Sequence, residues 1–382
     1  MGPYVELHCH SSFSFLDGAS SPLELAEAAA ELGYPALALT DHDGIWGSME
    51  FAVACKGAGI RAITGTELSV EDGGRIFHLT LLAENGAGYR NLCRLLTRAH
   101  ADTRESRDRR AGQPRVPLTE LADRAEGLIR LTGCARQGLI PAAWADGDLA
   151  RGESLLRKLR RWFSPENLRV EIQRPYWRHD HARNRWLAAL ARSLGLPLIA
   201  TGNVHSHEPE RARLQDALVA VRLGSNLADS EPHRRGNSTS ALASPEQMAH
   251  RFPDYPEAVA ETVRVAGRIG FDLERNLGYR YPQQGDPRID RDLAALCQSR
   301  MDERYRGTPQ EQGARARLEN ELRIIHGLGL SGFFLLHHDL LELAREVAAE
   351  VRGSSTARGV LPPGRGRGSS VSSIVCYLTG LS

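Results

Sequence analysis

Along the first two hundred residues, short apolar runs rich in β-formers alternate with longer Ala/Leu-rich stretches whose apolar positions recur at helical spacing. The pattern predicts strands over Val5–Ser11, Pro35–Asp41, Arg61–Leu68, Ile76–Ala83, Gly127–Cys134, Leu168–Arg174 and Pro197–His205. It predicts helices over Pro22–Leu32, Gly47–Lys56, Gly88–Ala99, Gly152–Phe163, His179–Leu194 and Pro209–Leu223. The first has Ser20 and Ser21 ahead of it as a cap signal and Gly33 behind it as a stop. Strands alternating with helices point to an α/β fold with a parallel sheet. Seven such units suggest a closed or nearly closed β/α barrel; an open doubly wound sheet would show the same count.

Later the rhythm changes. Ala101–Arg115 and Gly224–Asn237 are polar and read as loops, and Pro245–Leu273 returns to helical spacing. Asn276–Asp292, rich in Gly, Pro and Tyr, reads as a boundary, followed by helices over Arg291–Tyr305, Ala314–Leu328 and Ser331–Val351. Arg352–Arg367 is dense in Gly, Ser, Pro and Arg, and an apolar run then continues to Ser382. The expected division is a barrel over 1–275, a helical connection over 276–350 and a third part over 351–382.

Composition narrows the class. Of 382 residues, 41% are apolar and 25% charged, which excludes wholesale disorder. No apolar run approaches the roughly 20 residues of a membrane span. Six scattered cysteines form no CxxC pair, so a zinc ribbon and a thioredoxin-type motif are disfavoured, and with no framework spacing or signal peptide the chain reads as cytoplasmic. The net charge of +1 hides an asymmetry: four arginines and no acid follow Glu350. Only two lysines are present, Lys56 and Lys158.

The chemistry gathers at strand ends. His8 and His10 are two apart on one predicted strand, so both imidazoles face one side. Asp17 follows in the next loop. His42 and Glu67 end the second and third predicted strands, His78 lies on the fourth, Cys134 ends the fifth, and Asn203 and His205 end the seventh. In a β/α barrel the strand ends converge on one mouth. Imidazole, carboxylate and thiolate are ligands for zinc, manganese or iron, and this many donors suggests two or three ions with Glu67 placed to bridge. Clustered ions suit phosphate-ester hydrolysis. An amidohydrolase also begins His-x-His but commonly bridges its metals with a strand-end lysine, and both lysines here fall in predicted helices. The remaining histidines read as surface or packing residues, with His207 alone near enough to be a spare ligand.

These motifs resemble a known family. Leu7-His8-Cys9-His10-Ser11, Leu16-Asp17-Gly18, Leu39-Thr40-Asp41-His42-Asp43-Gly44, Gly65-Thr66-Glu67, Leu131-Thr132-Gly133-Cys134 and Ala200-Thr201-Gly202-Asn203-Val204-His205 are similar to those of the polymerase and histidinol phosphatase (PHP) domain. The whole chain resembles the N-terminal part of a bacterial C-family DNA polymerase of the polymerase III α type. The wording of Phe13–Ser20 and of the C-terminal tail is nearest the error-prone paralogue. The resemblance implies a distorted (β/α)7 barrel with a trinuclear metal site on His8, His10, Asp17, His42, Glu67, His78, Cys134, Asn203 and His205. The family usually has Asp where this chain has Asn203, so one metal position is expected to be weaker and hydrolytic activity reduced.

A second motif, Pro363-Gly364-Arg365-Gly366-Arg367-Gly368-Ser369-Ser370, resembles the Gly-Arg-Gly-Ser opening of the polymerase palm. The resemblance implies that Gly368 and Ser369, with Arg365 and Arg367, meet a nucleotide triphosphate, since glycines let backbone N–H groups cradle an anion. It further implies DNA and dNTP as substrates and Mg for the full-length polymerase, with a sliding clamp and mutagenesis accessory proteins as partners. The paired acids of nucleotidyl transfer would lie downstream of this motif. The expectation is therefore a truncated palm, inactive as a polymerase alone. The competing expectations are a free-standing PHP phosphoesterase similar to histidinol phosphatase, and a non-catalytic metal-stabilised scaffold.

Overall fold

The computed structural model describes residues 2–101, 103, 112–278, 286–353 and 368–382. They form two compact units, Met1–Leu277 and Gly278–Ser382.

The first unit is built on one sheet of seven strands: β1 (Ala36–Leu39), β2 (Arg61–Asp72), β3 (Arg75–Ala83), β4 (Val116–Pro117), β5 (Leu128–Leu131), β6 (Leu168–Gln173) and β7 (Leu198–Thr201). The main path runs β1-β2-β3-β5-β6-β7, with β4 paired to β2. Val5–Ser11 is not a regular strand. It still joins the two ends of the path: Glu6 bridges Leu37 on one side and Cys9 bridges Val204 on the other. Ala38 N donates to Glu6 O, and His10 N to Val204 O at 2.8 Å. The buried Glu6 carboxylate secures this seam by accepting from the backbone N–H groups of His8 and Gly202 and from the Tyr4 hydroxyl.

One strand departs from the parallel expectation. No helix separates β2 from β3. Gly73 and Gly74, both at positive φ (60° and 76°), turn the chain back, so β3 runs antiparallel to β2 and to β5. Reversal puts the start of β3 at the mouth, and so carries His78, three residues into the strand, to the side where the other strands end.

Helices α1 (Pro22–Glu31), α2 (Ser48–Gly57), α3 (Gly86–Ala101), α4 (Leu139–Ala145), α5 (Leu149–Trp162), α6 (Asp180–Ser193), α7 (Ala212–Leu223), α8 (Pro245–Arg251) and α9 (Pro256–Arg268) complete this unit. α1 starts where the sequence indicated: Ser21 and Glu24 form a reciprocal capping box, Pro22 takes the first turn, and Leu25, Ala26 and Ala29 face the core. α4 and β4 escape sequence reading because both are shorter than the windows in which periodicity shows. Both lysines sit on helices, Lys56 on α2 and Lys158 on α5, so neither is a strand-end ligand.

The second unit packs α10 (Pro287–Tyr305), α11 (Glu311–Gly327), α12 (Ser331–Arg352) and a short α13 (Ile374–Leu378) around Leu293, Cys297, Met301, Leu318, Ile325, Ile374, Val375 and Leu378. The i, i+4 spacing of Leu293, Cys297 and Met301 supplies the inner face of α10. Among the described residues, no single helix is long and apolar enough to cross a membrane.

Candidate metal centre

The mouth of the first unit holds a cleft of about 570 Å³ lined by Asp17, His42, Glu67, His78, Cys134, Asn203 and His205. Local backbone geometry positions several of these groups. Gly18 lies against the Ser11 carbonyl so closely that a Cβ would sit 1.8 Å from that oxygen, which holds the Asp17 turn over the first segment. Gly133 has φ 96°, and a Cβ there would meet the His78 carbonyl at 2.1 Å, so only glycine brings Cys134 beside His78. Asn203 takes a left-handed φ of 50°, a conformation Asn tolerates better than most residues.

Glu67 is the hub. Its Oε2 lies 2.6 Å from His8 Nε2 and 3.1 Å from His10 Nε2, and its Oε1 contacts His78 Nδ1. At the other end, Asp17 Oδ2 lies 3.1 Å from His42 Nε2 and 3.2 Å from His205 Nε2. His10 connects the two ends, its ring centroid 4.4 Å from that of His42 and 4.3 Å from that of His205. Among the described residues, three groups have donor atoms close enough to share one ion: His8, His10 and Glu67; His42, Glu67 and His78; His10, His42 and His205.

Electrostatics separate the donors. Burial raises the Glu67 carboxyl, but His78 and His8 overcome it and hold the group well below the usual carboxylate range. Burial likewise opposes ionisation of Asp17, and His205 and Arg235 reverse the effect. Burial lowers His8, yet Glu171 and Glu67 on its two sides keep it well above an ordinary histidine. His10 is driven well below that value by burial, then by His205 and His42. His205 is pushed down to about 4, by burial and then by Arg235.

The donors fit a divalent cation. Asn203 Oδ1 is buried without a hydrogen-bond partner, and His10 Nε2 faces Glu67 without hydrogen-bond alignment. A cation beside Glu67 would satisfy His10 Nε2. Glu171 on β6 contacts His8 Nδ1 at 2.7 Å, the carboxylate support that orients a metal-binding imidazole and turns its Nε2 inward. Sequence reading missed Glu171. Its trace was an acid inside the fully buried strand Leu-Arg-Val-Glu-Ile-Gln. It also missed Arg136, Arg222 and Arg235, which line the cleft from loops and a helix end, and His233, which had read as a surface residue. His207 joins none of the imidazole groups; its Nδ1 pairs with Ser20 Oγ at 2.7 Å.

In the second unit Gly368 has φ 66° and opens a short 3-10 turn, Gly368–Ser372. Arg365, Arg367 and the side chain of Ser369 lie outside the described residues.

Residues 6–175, which span the sheet from the first segment to the end of β6, match the PHP domain model. Residues 291–382 match the bacterial DNA polymerase III alpha NTPase domain. The chain is 38% identical over 395 residues to the error-prone DNA polymerase of Symbiobacterium thermophilum, covering 98% of this chain and 34% of that protein. It is 35% identical over 390 residues to the error-prone DNA polymerase of Mycobacterium tuberculosis, covering 99% and 34%. With the DNA polymerase III subunit alpha of Treponema pallidum the identity is 34% over 389 residues, covering 98% and 31%. Residues 6–175 thus match a PHP domain, and the chain as a whole resembles part of bacterial error-prone and polymerase III α-type DNA polymerases. It spans about a third of the length of these relatives.

Proposed function

We propose that the first unit is a metal-binding PHP module in which His8, His10, Asp17, His42, Glu67, His78, Cys134, Asn203 and His205 hold two or three divalent ions. The observation that carries this reading is the meeting of the buried Glu67 carboxylate with three imidazoles from two chain segments, His8 and His10 on one and His78 on the other. Zinc, manganese and iron suit this mixed donor set. Bound ions would supply polarisation of a phosphate and a nucleophilic water at neutral pH. This chain's residues set the frame: Glu171 holds the His8 ring, Glu67 can bridge, and Arg136, Arg222 and Arg235 make the entrance attractive to anions.

We place this module, with the second unit, in a DNA polymerase of the error-prone kind, whose parent reaction is template-directed nucleotidyl transfer in replication and damage-tolerant synthesis. Nearly full coverage of this chain by such relatives supports that reading. The residues after Glu350 contain four arginines and no acid, so the paired carboxylates of two-metal nucleotidyl transfer are not among them. In this reading Gly368, Ser369, Arg365 and Arg367 meet the nucleotide phosphates, Mg serves the transfer itself, and the protein acts in the cytoplasm.

Metal analysis of the purified chain and of Glu67→Gln tests the module: the wild type should retain at least two ions per chain and the variant should lose at least one. Primer extension by the 382-residue chain alone should be absent. The phosphoesterase alternative is favoured by the same donor set, and release of phosphate from a simple monoester by the metal-loaded chain would establish it.

A further inference from the structure

The two ends of the cleft are not equivalent. The Glu67 end meets imidazoles, and among the described residues no arginine forms an ion pair with Glu67. At the Asp17 end, Arg235 Nη2 contacts His205 Nε2 and lies 3.4 Å from Asp17 Oδ2. These are the two donor atoms, 3.2 Å apart, that an ion at this end would need.

We propose that Arg235 is a resident cation at the Asp17 end, that its guanidinium occupies the place of one divalent ion, and that the module therefore binds two metals rather than three. This rests on the metal-binding reading above.

Three observations carry it. The first is geometric: one guanidinium nitrogen faces both donors. His205 Nδ1 lies 2.9 Å from the Asn203 carbonyl. With the proton on Nδ1, Nε2 presents a lone pair to the Arg235 N–H.

The second is charge. Asp17 is the carboxylate that His42, His205, Arg235 and Arg222 share, the last at 3.5 Å. Asn203, lining the same end, is a neutral amide. A dication added here would face the guanidinium groups of Arg235 and Arg222, with Arg136 lining the same cleft and Asp17 as the acid they share, whereas among the described residues no arginine pairs with Glu67.

The third is anchorage. The Arg235 side chain is only 12% exposed, and its backbone carbonyl accepts from Trp177 Nε1 at 3.2 Å. Asn237 Nδ2 donates to the Pro175 carbonyl, tying the same loop down two residues further on. Arg222 is 41% exposed and reaches Asp17 from the end of α7, a rim position rather than an inserted one.

The test is metal stoichiometry by mass spectrometry after loading with Mn²⁺ or Zn²⁺ and removal of excess, on the wild type, Arg235→Ala and Arg222→Ala. Circular dichroism checks that each variant is folded, and Arg235→Gln replaces Arg235→Ala if the latter is not. The expected counts are two for the wild type, three for the Arg235 variant and two for Arg222→Ala. Three ions in the wild type, two in a folded Arg235 variant, or three in Arg222→Ala would overturn the assignment to Arg235. No bound metal in the wild type or any variant would overturn the metal-binding reading itself.

Discussion

Glu67 in the first unit and Glu321 in the second each gather several polar neighbours, but of opposite kinds. Glu67 is buried among His8, His10 and His78, side chains drawn from segments far apart in the chain. Glu321 on α11 accepts from the backbone N–H groups of Ile374 and Val375 and from the Ser373 hydroxyl, closing the N-terminus of α13. Backbone donors saturate a carboxylate and hold a helix end in place. Imidazoles are themselves ligands, and packing them on one buried acid is stable when a cation shares the site. The same residue type is structural in one unit and poised for chemistry in the other.

The surfaces differ in a parallel way. The first unit places Phe15, one of several exposed aromatics, at the rim of the cleft. The second leaves Leu336, Leu340, Leu343, Val347 and Val351 exposed along α12, a stripe at helical spacing on the outside of a small core.

The comparison can be broken most decisively at Glu67. Removing metal with a chelator should lower the unfolding free energy of the loaded protein by about 3–4 kcal/mol, the linkage expected when metal is present at several hundred times its dissociation constant. Glu67→Gln should melt like the stripped protein and respond little to chelator. Identical melting of loaded and stripped wild type would remove the distinction between the two glutamates.

Leu318→Ala, at a 3%-exposed core position of the second unit, should cost about 2–3 kcal/mol by denaturant titration while leaving metal content unchanged. Glu321→Gln should cost about 1–2 kcal/mol, because the amide keeps the shape but weakens four hydrogen bonds to a charged acceptor, the three from the start of α13 and one from Arg317 Nε. Burial raises the Glu321 carboxyl, but Ser373 and the α13 backbone lower it further, so its folded value lies below the ordinary one. Its contribution is thus complete above the unfolded value of about 4.3 and fades as pH falls through the folded value. The variant's stability deficit should shrink on acidification; a deficit constant with pH would contradict the capping role. The smallest effect belongs to the outer stripe: Leu340→Asn, at a 52%-exposed position, should change stability by no more than about 0.5 kcal/mol.

Much of this was legible in the linear pattern. α1 begins and ends near its cap signals, and the nine candidate donors gather at one mouth of the sheet, although β2 continues five residues beyond Glu67, which the sequence placed at the end of its strand. These features are local: a capping box, a period, a His-x-His on an extended segment. Asn203 was visible as an amide among acids, and the structure adds that its oxygen is buried and unpartnered.

What the pattern left open depends on contacts between distant residues. The Gly73-Gly74 reversal, which makes β3 antiparallel and swings His78 to the mouth, follows from two adjacent glycines whose turn becomes decisive only once β2 and β3 pair. Glu171 looked like an unexplained acid in a buried strand until folding set it 2.7 Å from His8, 163 residues away. Arg235 lay in a polar loop with no periodic signal, and only the tertiary structure brings it to Asp17 and His205. Sequence alone determined which chemical groups this protein has to offer and on which elements they ride, because propensity and capping act over a few residues. Which cation neutralises which acid was decided by the fold, because Coulomb and hydrogen-bond energies act across space and register only after the chain has closed.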